Sequence, residues 1–344
     1  MAKSDLYKAA GVDIDLATSL LKKVKADLAS TRRPEMLSPI GGFGGLFQID
    51  LSKYEEPVMV SSIDGVGTKL MIAAAMQKYD TVGCDIVNHC INDISVQGAE
   101  PVYFMDYIGI GKLRSPLYED VLAGIAKACK AAGCAVLGGE TAEMPGMYGN
   151  DFDLVGVITG IVEKKKIITG ENIRPGHVAI GIASNGLHTN GYSLARKILF
   201  GDGKYQVDTF VDALNCTVGE ALLKPHTCYY PAIREAMAQG LPLDGIAHIT
   251  GGGLYDNVPR ILPQDVSVIF RPQALPVPPI FDLLVKEGNV GHEEAYRVFN
   301  MGVGMVWFVP QEAEAQALKI IREAGYTAEN IGEVVAGNHT VQVL

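Results

Sequence analysis

From residue 58 onward, short apolar runs alternate with amphipathic stretches, and this rhythm limits the chain to a mixed α/β architecture. Runs at 58–61, 102–108, 135–137 and 154–162 read as strands, with helices over about 68–78, 85–97 and 116–132. A second set follows, with strands at 178–183, 266–270 and 303–309 and helices near 192–199, 229–238, 278–286 and 311–324. Upstream, Leu16, Leu20, Leu21, Val24 and Leu28 share one face of a helix over 16–29. Residues 163–176 are charged and carry Gly170, Pro175 and Gly176, the composition of an interdomain boundary. We therefore expect two α/β domains, 1–168 and 174–344.

The chain has 344 residues, 48% of them hydrophobic and 20% charged, which excludes disorder. Its 39 glycines are about 11% of the chain against a usual ~7%, and they gather in loops, which favours sites lined by backbone. The net charge of −10 argues against nucleic acid and anionic membranes as partners. Phosphorylated small molecules stay open, because amide nests and metal ions offset a global charge locally. Six cysteines show no zinc-type pairing. The first fifteen residues lack an apolar signal core, and no apolar run approaches the ~18 residues of a membrane span, so a cytoplasmic protein is expected.

The run Ser61-Ser62-Ile63-Asp64-Gly65-Val66-Gly67-Thr68-Lys69 joins an acid, two glycines, a hydroxyl and a lysine after an apolar strand. It is not a P-loop, which needs Gly-Lys followed by Ser or Thr. Asp64 would instead offer carboxylate oxygen to Mg²⁺. In isolation the run reads equally well as an Asp-Gly turn at a strand end. Between residues 84 and 94, Asp85, Asn88, His89, Asn92 and Asp93 share a helical face opposite Ile86, Val87, Ile91 and Ile94. That face is either a ligand surface or a buried polar face satisfied by hydrogen bonds.

Three glycine-rich segments complete the set. Gly138-Gly139-Glu140-Thr141 follows a strand, where a ligand site and a plain glycine turn are both open. Ser184-Asn185-Gly186-Leu187-His188-Thr189-Asn190-Gly191 leads from a strand into a helix, a place for an anion or simply a cap. His248-Ile249-Thr250-Gly251-Gly252-Gly253 is a second candidate nest. Ser184 lacks the glycine two residues earlier that a nucleophile elbow requires. His292-Glu293-Glu294 lacks the second histidine of a zincin, and no Gly-x-Gly pair continues to a dinucleotide fingerprint.

Taken in order, these segments resemble the phosphoribosylformylglycinamidine cyclo-ligase (aminoimidazole ribonucleotide synthetase) family of purine biosynthesis. The resemblance runs from Tyr7-Lys8-Ala9-Ala10-Gly11-Val12-Asp13 through Thr31-Arg32-Arg33-Pro34-Glu35 and Gly41-Gly42-Phe43-Gly44. It continues through Asp64 to Lys69, Asn92-Asp93, Asp106-Tyr107 and the specific block Gly138-Gly139-Glu140-Thr141-Ala142-Glu143-Met144-Pro145-Gly146-Met147-Tyr148. His188 to Leu194, His248 to Leu254 and Phe299-Asn300-Met301-Gly302 complete it, so that nearly the whole chain is covered.

The resemblance implies an N-terminal ATP-binding domain that dimerises through its sheet, a C-terminal α/β domain, and ATP and Mg²⁺ as requirements, with a monovalent cation an open question. ATP would contact Gly41, Gly42, Phe43, Gly44, Gly45, Gly65, Gly67, Thr68, Asn92, Asp106, Gly138, Gly139 and Thr141. Asp64, Asp93 and Glu140 would be the metal acids and Lys69 a phosphate partner. Ser184, Thr189, Asn190, Gly191, Thr250, Gly251, Gly252 and Gly253 would hold the ribonucleotide, and His188 and His248 are candidates for the base. Where superfamily members often carry an Asp before the last glycine loop, this chain has His248-Ile249. The implied reaction activates the formamide oxygen of formylglycinamidine ribonucleotide by phosphorylation and closes the imidazole ring with loss of phosphate. Selenophosphate synthetases, by contrast, place a reactive Cys or selenocysteine in the N-terminal loop, and residues 38–45 hold none. Thiamine-phosphate kinases lack the Glu-Met-Pro-Gly-Met-Tyr block, and a non-catalytic nucleotide sensor would have lost the acids.

Overall fold

In this computed structural model, Lys8 and residues 10–344 are described; Tyr7 and Ala9 of the opening motif lie outside them. The chain divides into two units: residues 1–94 with 100–164, and residues 95–99 with 165–344. The chain therefore enters the second unit briefly at Ser95–Ala99 before returning to complete the first.

The first unit is built on a four-stranded sheet of β1 (Pro57–Gly65), β2 (Glu100–Ile110), β3 (Ala135–Glu143) and β4 (Phe152–Glu163), in the order β1-β4-β2-β3. β1 and β2 run antiparallel to β4, while β2 and β3 are parallel. The parallel pair needs a crossover, supplied by a helix over Leu117–Ala132. Ahead of the sheet, α1 (Ile14–Ala29) begins at Asp13, whose side chain accepts from the Leu16 amide, and buries Leu20, Val24 and Leu28. Between β1 and β2 come α2 (Lys69–Met76) and α3 (Val82–Ser95); the crossover helix is α4.

Two strands outrun their expected ends. β1 continues through Asp64 and Gly65 because its register with β4 holds to Gly65 opposite Val155, so the Asp-Gly pair is strand and not a turn. β3 continues to Glu143, paired with Ile110, so Gly138-Gly139-Glu140 is likewise extended and the glycine-turn reading fails.

The second unit carries a six-stranded sheet. Its strands are β5 (Val178–Ala183), β8 (Gly245–His248), β9 (Val266–Phe270), β10 (Val303–Val309), β11 (Ala328–Ala336) and β12 (Val341–Val343), in the order β12-β9-β11-β5-β10-β8. A separate ribbon pairs β6 (Phe210–Val211) with β7 (Cys216–Thr217). β8, β11, β12 and the ribbon were not expected from sequence: they are short or polar, and β11 is broken by an irregularity between Asn330 and Gly332. All seven residues of β10 are buried. Its Met305, Trp307 and Val309 join Ile180 and Ile182 of β5 in a core covered by Ala232, Ile233 and Ala236 and by Ala317, Ile320 and Ile321. These last six lie on helices Tyr230–Ala238 and Glu314–Glu323.

Candidate active site

In the first unit, α3 is brought against the sheet at Gly156 of β4. A Cβ there would lie 2.4 Å from Phe104 Cζ and 2.7 Å from Ile86 Cγ1, so only glycine permits the approach. Asp64 stands opposite Gly156 on the neighbouring strand, and the close helix carries His89 within reach of it. His89 Nε2 lies 2.9 Å from Asp64 Oδ2 and 3.4 Å from Asp93 Oδ2. Asp93 also accepts from the Ser62 hydroxyl at 3.4 Å, and the Asp64 Oδ1 accepts from the Gly65 amide at 2.6 Å.

Burial alone would hold His89 neutral, but hydrogen bonds and charge from Asp64 and Asp93 outweigh it and push the imidazole up to about 9. Burial likewise opposes ionisation of Asp64, yet His89 keeps that carboxyl below its usual range. At neutral pH the cluster is therefore two carboxylates sharing one imidazolium. Its oxygen donors suit a hard cation such as Mg²⁺.

Lys69 is engaged inside the chain. Its ammonium is fully buried, 2.8 Å from Asp85 Oδ2 and 2.9 Å from Asp85 Oδ1, so the chain engages it with its own carboxylate and not as an open phosphate partner. Burial pulls the lysine below its ordinary value against the opposing pull of Asp85. Glu140 is also placed apart. It lies on β3, the far edge of the sheet from β1, three strand spacings or roughly 14 Å away, so Asp64, Asp93 and Glu140 do not converge within one chain.

Glu140 instead borders a cavity of about 310 Å³ lined in part by the loop Gly41 to Gly45, Asp106, Tyr118, Gly138, Gly139 and Thr141. Phe43 stands fully exposed at the tip of that loop. Asp106 is buried at the cavity wall, and desolvation pushes its carboxyl up to about 7. Gly65 closes β1, Gly67 follows with positive φ, and Thr68 precedes α2 without a side-chain cap. Asn92 is fully buried on α3.

In the second unit, β10 organises the site. The C-terminal ends of its neighbours β5 and β8 lie against its first half, Ala183 opposite Val303 and His248 opposite Met305, so the loops that leave both strands emerge at one end of the sheet. The first loop is tied down by buried Asn300, which accepts from the Ser184 hydroxyl (2.8 Å) and the Gly302 amide (3.0 Å) and donates to the Gly186 carbonyl (2.9 Å). The second is tied by Asn257, whose amide donates to the Gly253 carbonyl at 2.8 Å and the Gly251 carbonyl at 3.2 Å. The Thr250 hydroxyl bonds Asn257 Oδ1 at 3.1 Å.

The two loops meet: a Cβ on Gly251 would lie 3.3 Å from Asn190 Oδ1. Gly191 precedes helix Tyr192–Phe200, and Gly252 precedes helix Gly253–Asn257. His188, held at positive φ, and His248 are both buried. Between them stands His226, stacked on His188 at 4.1 Å and bonded through Nε2 to His248 Nε2 at 3.0 Å. Gly304 of β10 leaves the space, since a Cβ there would fall 2.8 Å from His188 Cε1.

Sequence reasoning brought together Ser184, Thr189, Asn190, Gly191, Thr250, Gly251, Gly252 and Gly253 on these two loops. It placed Asp85 and His89 only on a polar helical face, assigned no role to Asn257 or Asn300, and passed over His226. The i, i+4 spacing of Asp85, His89 and Asp93 was the available signal for the first two; nothing local marks His226.

The N-terminal domain of AIR synthase related proteins matches residues 49–162, and the C-terminal domain of the same family matches 174–344. A phosphoribosylformylglycinamidine cyclo-ligase of Bacillus cereus (strain AH187) is 48% identical over 337 residues, 97% of this chain and 96% of that protein. A protein of the same name from Desulfatibacillum aliphaticivorans is 46% identical, covering 98% and 97%. The chain belongs to the AIR synthase related family and, within it, to the phosphoribosylformylglycinamidine cyclo-ligases.

Solved structures share the fold at low identity. Thiamine-monophosphate kinase from Stenotrophomonas maltophilia K279a superposes with a TM-score of 0.67 at 16% identity, covering 94% of this chain and 95% of that one. Hydrogenase maturation protein HypE in complex with ATP gives 0.68 at 17%, covering 95% and 90%.

Proposed function

We propose that this chain closes the imidazole ring of formylglycinamidine ribonucleotide, consuming ATP and releasing aminoimidazole ribonucleotide, ADP and phosphate in purine biosynthesis. The observation that carries the reading is the match to named cyclo-ligases at 46–48% identity over essentially the full length of both partners. The site chemistry agrees. An amide oxygen leaves poorly until phosphorylated, so the protein's task is to position two anionic ligands and offset their charge, work suited to acids, amides and hydroxyls without a nucleophile triad.

In this reading the first unit takes ATP at the Gly41–Gly45 cavity and the acids. Asp64 and Asp93 would hold Mg²⁺, which neutralises phosphoryl charge when bound, and Glu140 would serve the nucleotide separately. His89 orders both carboxylates before the cation arrives. In the second unit, the segments 189–191 and 250–253 with the Thr189 hydroxyl would cradle the ribose phosphate, beside Ser184, whose hydroxyl proton goes to Asn300. His188 or His248 would accept the proton released on closure. Residues 1–168 as an ATP-binding and dimerising domain, 174–344 as its partner domain, a homodimer and a cytoplasmic setting belong to the same proposal. Among the described residues no helix is long and apolar enough to cross a membrane.

An assay with ATP, Mg²⁺ and formylglycinamidine ribonucleotide tests this by following ADP and aminoimidazole ribonucleotide together. Equal amounts are expected. ADP without imidazole would indicate a kinase or ATPase instead, and absence of both would reject the assignment.

A further inference from the structure

His226 lies in the second unit with about 1% of its surface exposed, bonded at both ring nitrogens. Nδ1 is 3.2 Å from the Thr189 hydroxyl, and Nε2 is 3.0 Å from His248 Nε2. Two imidazole nitrogens at that distance share one proton: one must donate N–H and the other must offer its lone pair. With both imidazoles neutral, these two bonds allow two settings of the string.

If the Thr189 hydroxyl donates to Nδ1, His226 carries its proton on Nε2 and donates it to His248, whose own proton then resides on Nδ1. If Thr189 accepts, His226 is protonated on Nδ1, and His248 must donate from Nε2, which leaves the lone pair on Nδ1. Each setting assigns His248 one tautomer and excludes the other. Stacking of His188 on His226 at an interplanar angle of 21° fixes the ring plane that makes this geometry hold. His248 also ends β8, one residue before Thr250-Gly251-Gly252-Gly253, so its ring is fixed from the strand side as well.

We infer that His226 is a positioning residue for ring closure, one that orients His248 and dictates which of its nitrogens carries the proton. The inference rests on the cyclo-ligase reading for its catalytic meaning, because a base can act only through a nitrogen whose lone pair is available to the substrate. The tautomer claim itself needs no substrate.

The test uses the full chain in three forms: wild type, His226→Phe and His226→Gln. Nitrogen NMR of ¹⁵N-histidine-labelled protein reads the His248 ring directly, without ligands. One tautomer is expected in the wild type, a mixture in His226→Phe, and a single tautomer again in His226→Gln, whose amide can donate or accept from a similar position. In the ring-closure assay, His226→Phe should lower kcat about tenfold, which corresponds to ~1.4 kcal/mol, with KM for both substrates within about twofold. His226→Gln should recover most of that loss. If His226→Phe does not fold, Thr189→Val removes the other end of the string and should mix the His248 tautomers in the same spectrum. A single unchanged His248 tautomer in the folded variant would overturn the inference, as would equal kcat losses in the Phe and Gln variants. Failure of the wild type to make aminoimidazole ribonucleotide would refute the proposed activity and leave the NMR result to decide the tautomer claim.

Discussion

Asp64 and Asp93 in the first unit share the charged His89, and Lys69 is buried whole against Asp85. In the second unit, Ser184, Asn300, Thr189, His226 and His248 are joined by hydrogen bonds that need no net charge. The contrast follows what each region is proposed to receive. A polyphosphate with a cation is met by acids that must be neutralised beforehand and released when the ion arrives. A single phosphate is met by a rigid shell of amides and hydroxyls. Charge-held sites respond to ions, whereas sites held by neutral hydrogen bonds respond mainly to shape.

Removing a charge from the first unit should have the largest effect. Asp64→Asn keeps the volume and is expected to lower turnover by about 10²-fold or more, with a modest fall in the thermal transition because Asp93 still pairs with His89. Steady-state kinetics beside a melting curve would show it, and near-normal turnover would take Asp64 out of the cation role and dissolve the contrast.

Next in size is Lys69→Met. It leaves Asp85 buried without its cation, and such half-pairs cost about 3–5 kcal/mol. Urea unfolding should show a lower midpoint with unchanged slope. Burial depresses the lysine despite its partner, so desolvation outweighs the attraction. The double variant Lys69→Met/Asp85→Leu should accordingly recover much of the loss. No recovery would mean that the pair stabilises the first unit outright.

The smallest effect belongs to the second unit. Asn300→Ala removes three hydrogen bonds that tie the Ser184 loop to the turn before β10, and a loss of about 1–3 kcal/mol is expected. KM for the ribonucleotide should rise more than kcat falls, because the shell loosens while its charge is unchanged. A fall in kcat alone would show that the loop does more than shape the site.

Much of this was legible in the chain because local periodicity carries it. The apolar stripe from Leu16 to Leu28 marked α1, and the alternation from residue 58 located three of the four strands of the first sheet to within a few residues at one or both ends. The fourth, β3, was cut short at Gly138-Gly139: adjacent glycines mark a turn when no partner is known, but β2 supplies the partner and carries them in extended form. The Lys69–Asp85 pair was illegible for a related reason. Lysine beside Thr and Gly suggests a phosphate, and only tertiary structure reveals that Asp85, sixteen residues on, already holds it. His226 was illegible altogether, since its meaning lies in a contact with a residue 22 positions downstream and its neighbours form no motif.

The short excursion at Ser95–Ala99 has a consequence for synthesis. Val96 packs against the main core of the second unit, and the Ile168 amide donates to the Gln97 carbonyl, yet these residues leave the ribosome well before Lys165 and all that follows. At 5–20 residues per second the interval is roughly 3–13 s. Throughout it, five residues wait for a core that does not yet exist, while β2, β3 and β4 emerge beyond them. A fragment beginning at Lys165 would lack those five residues for good, so the second unit cannot be released intact by any single cut in the chain.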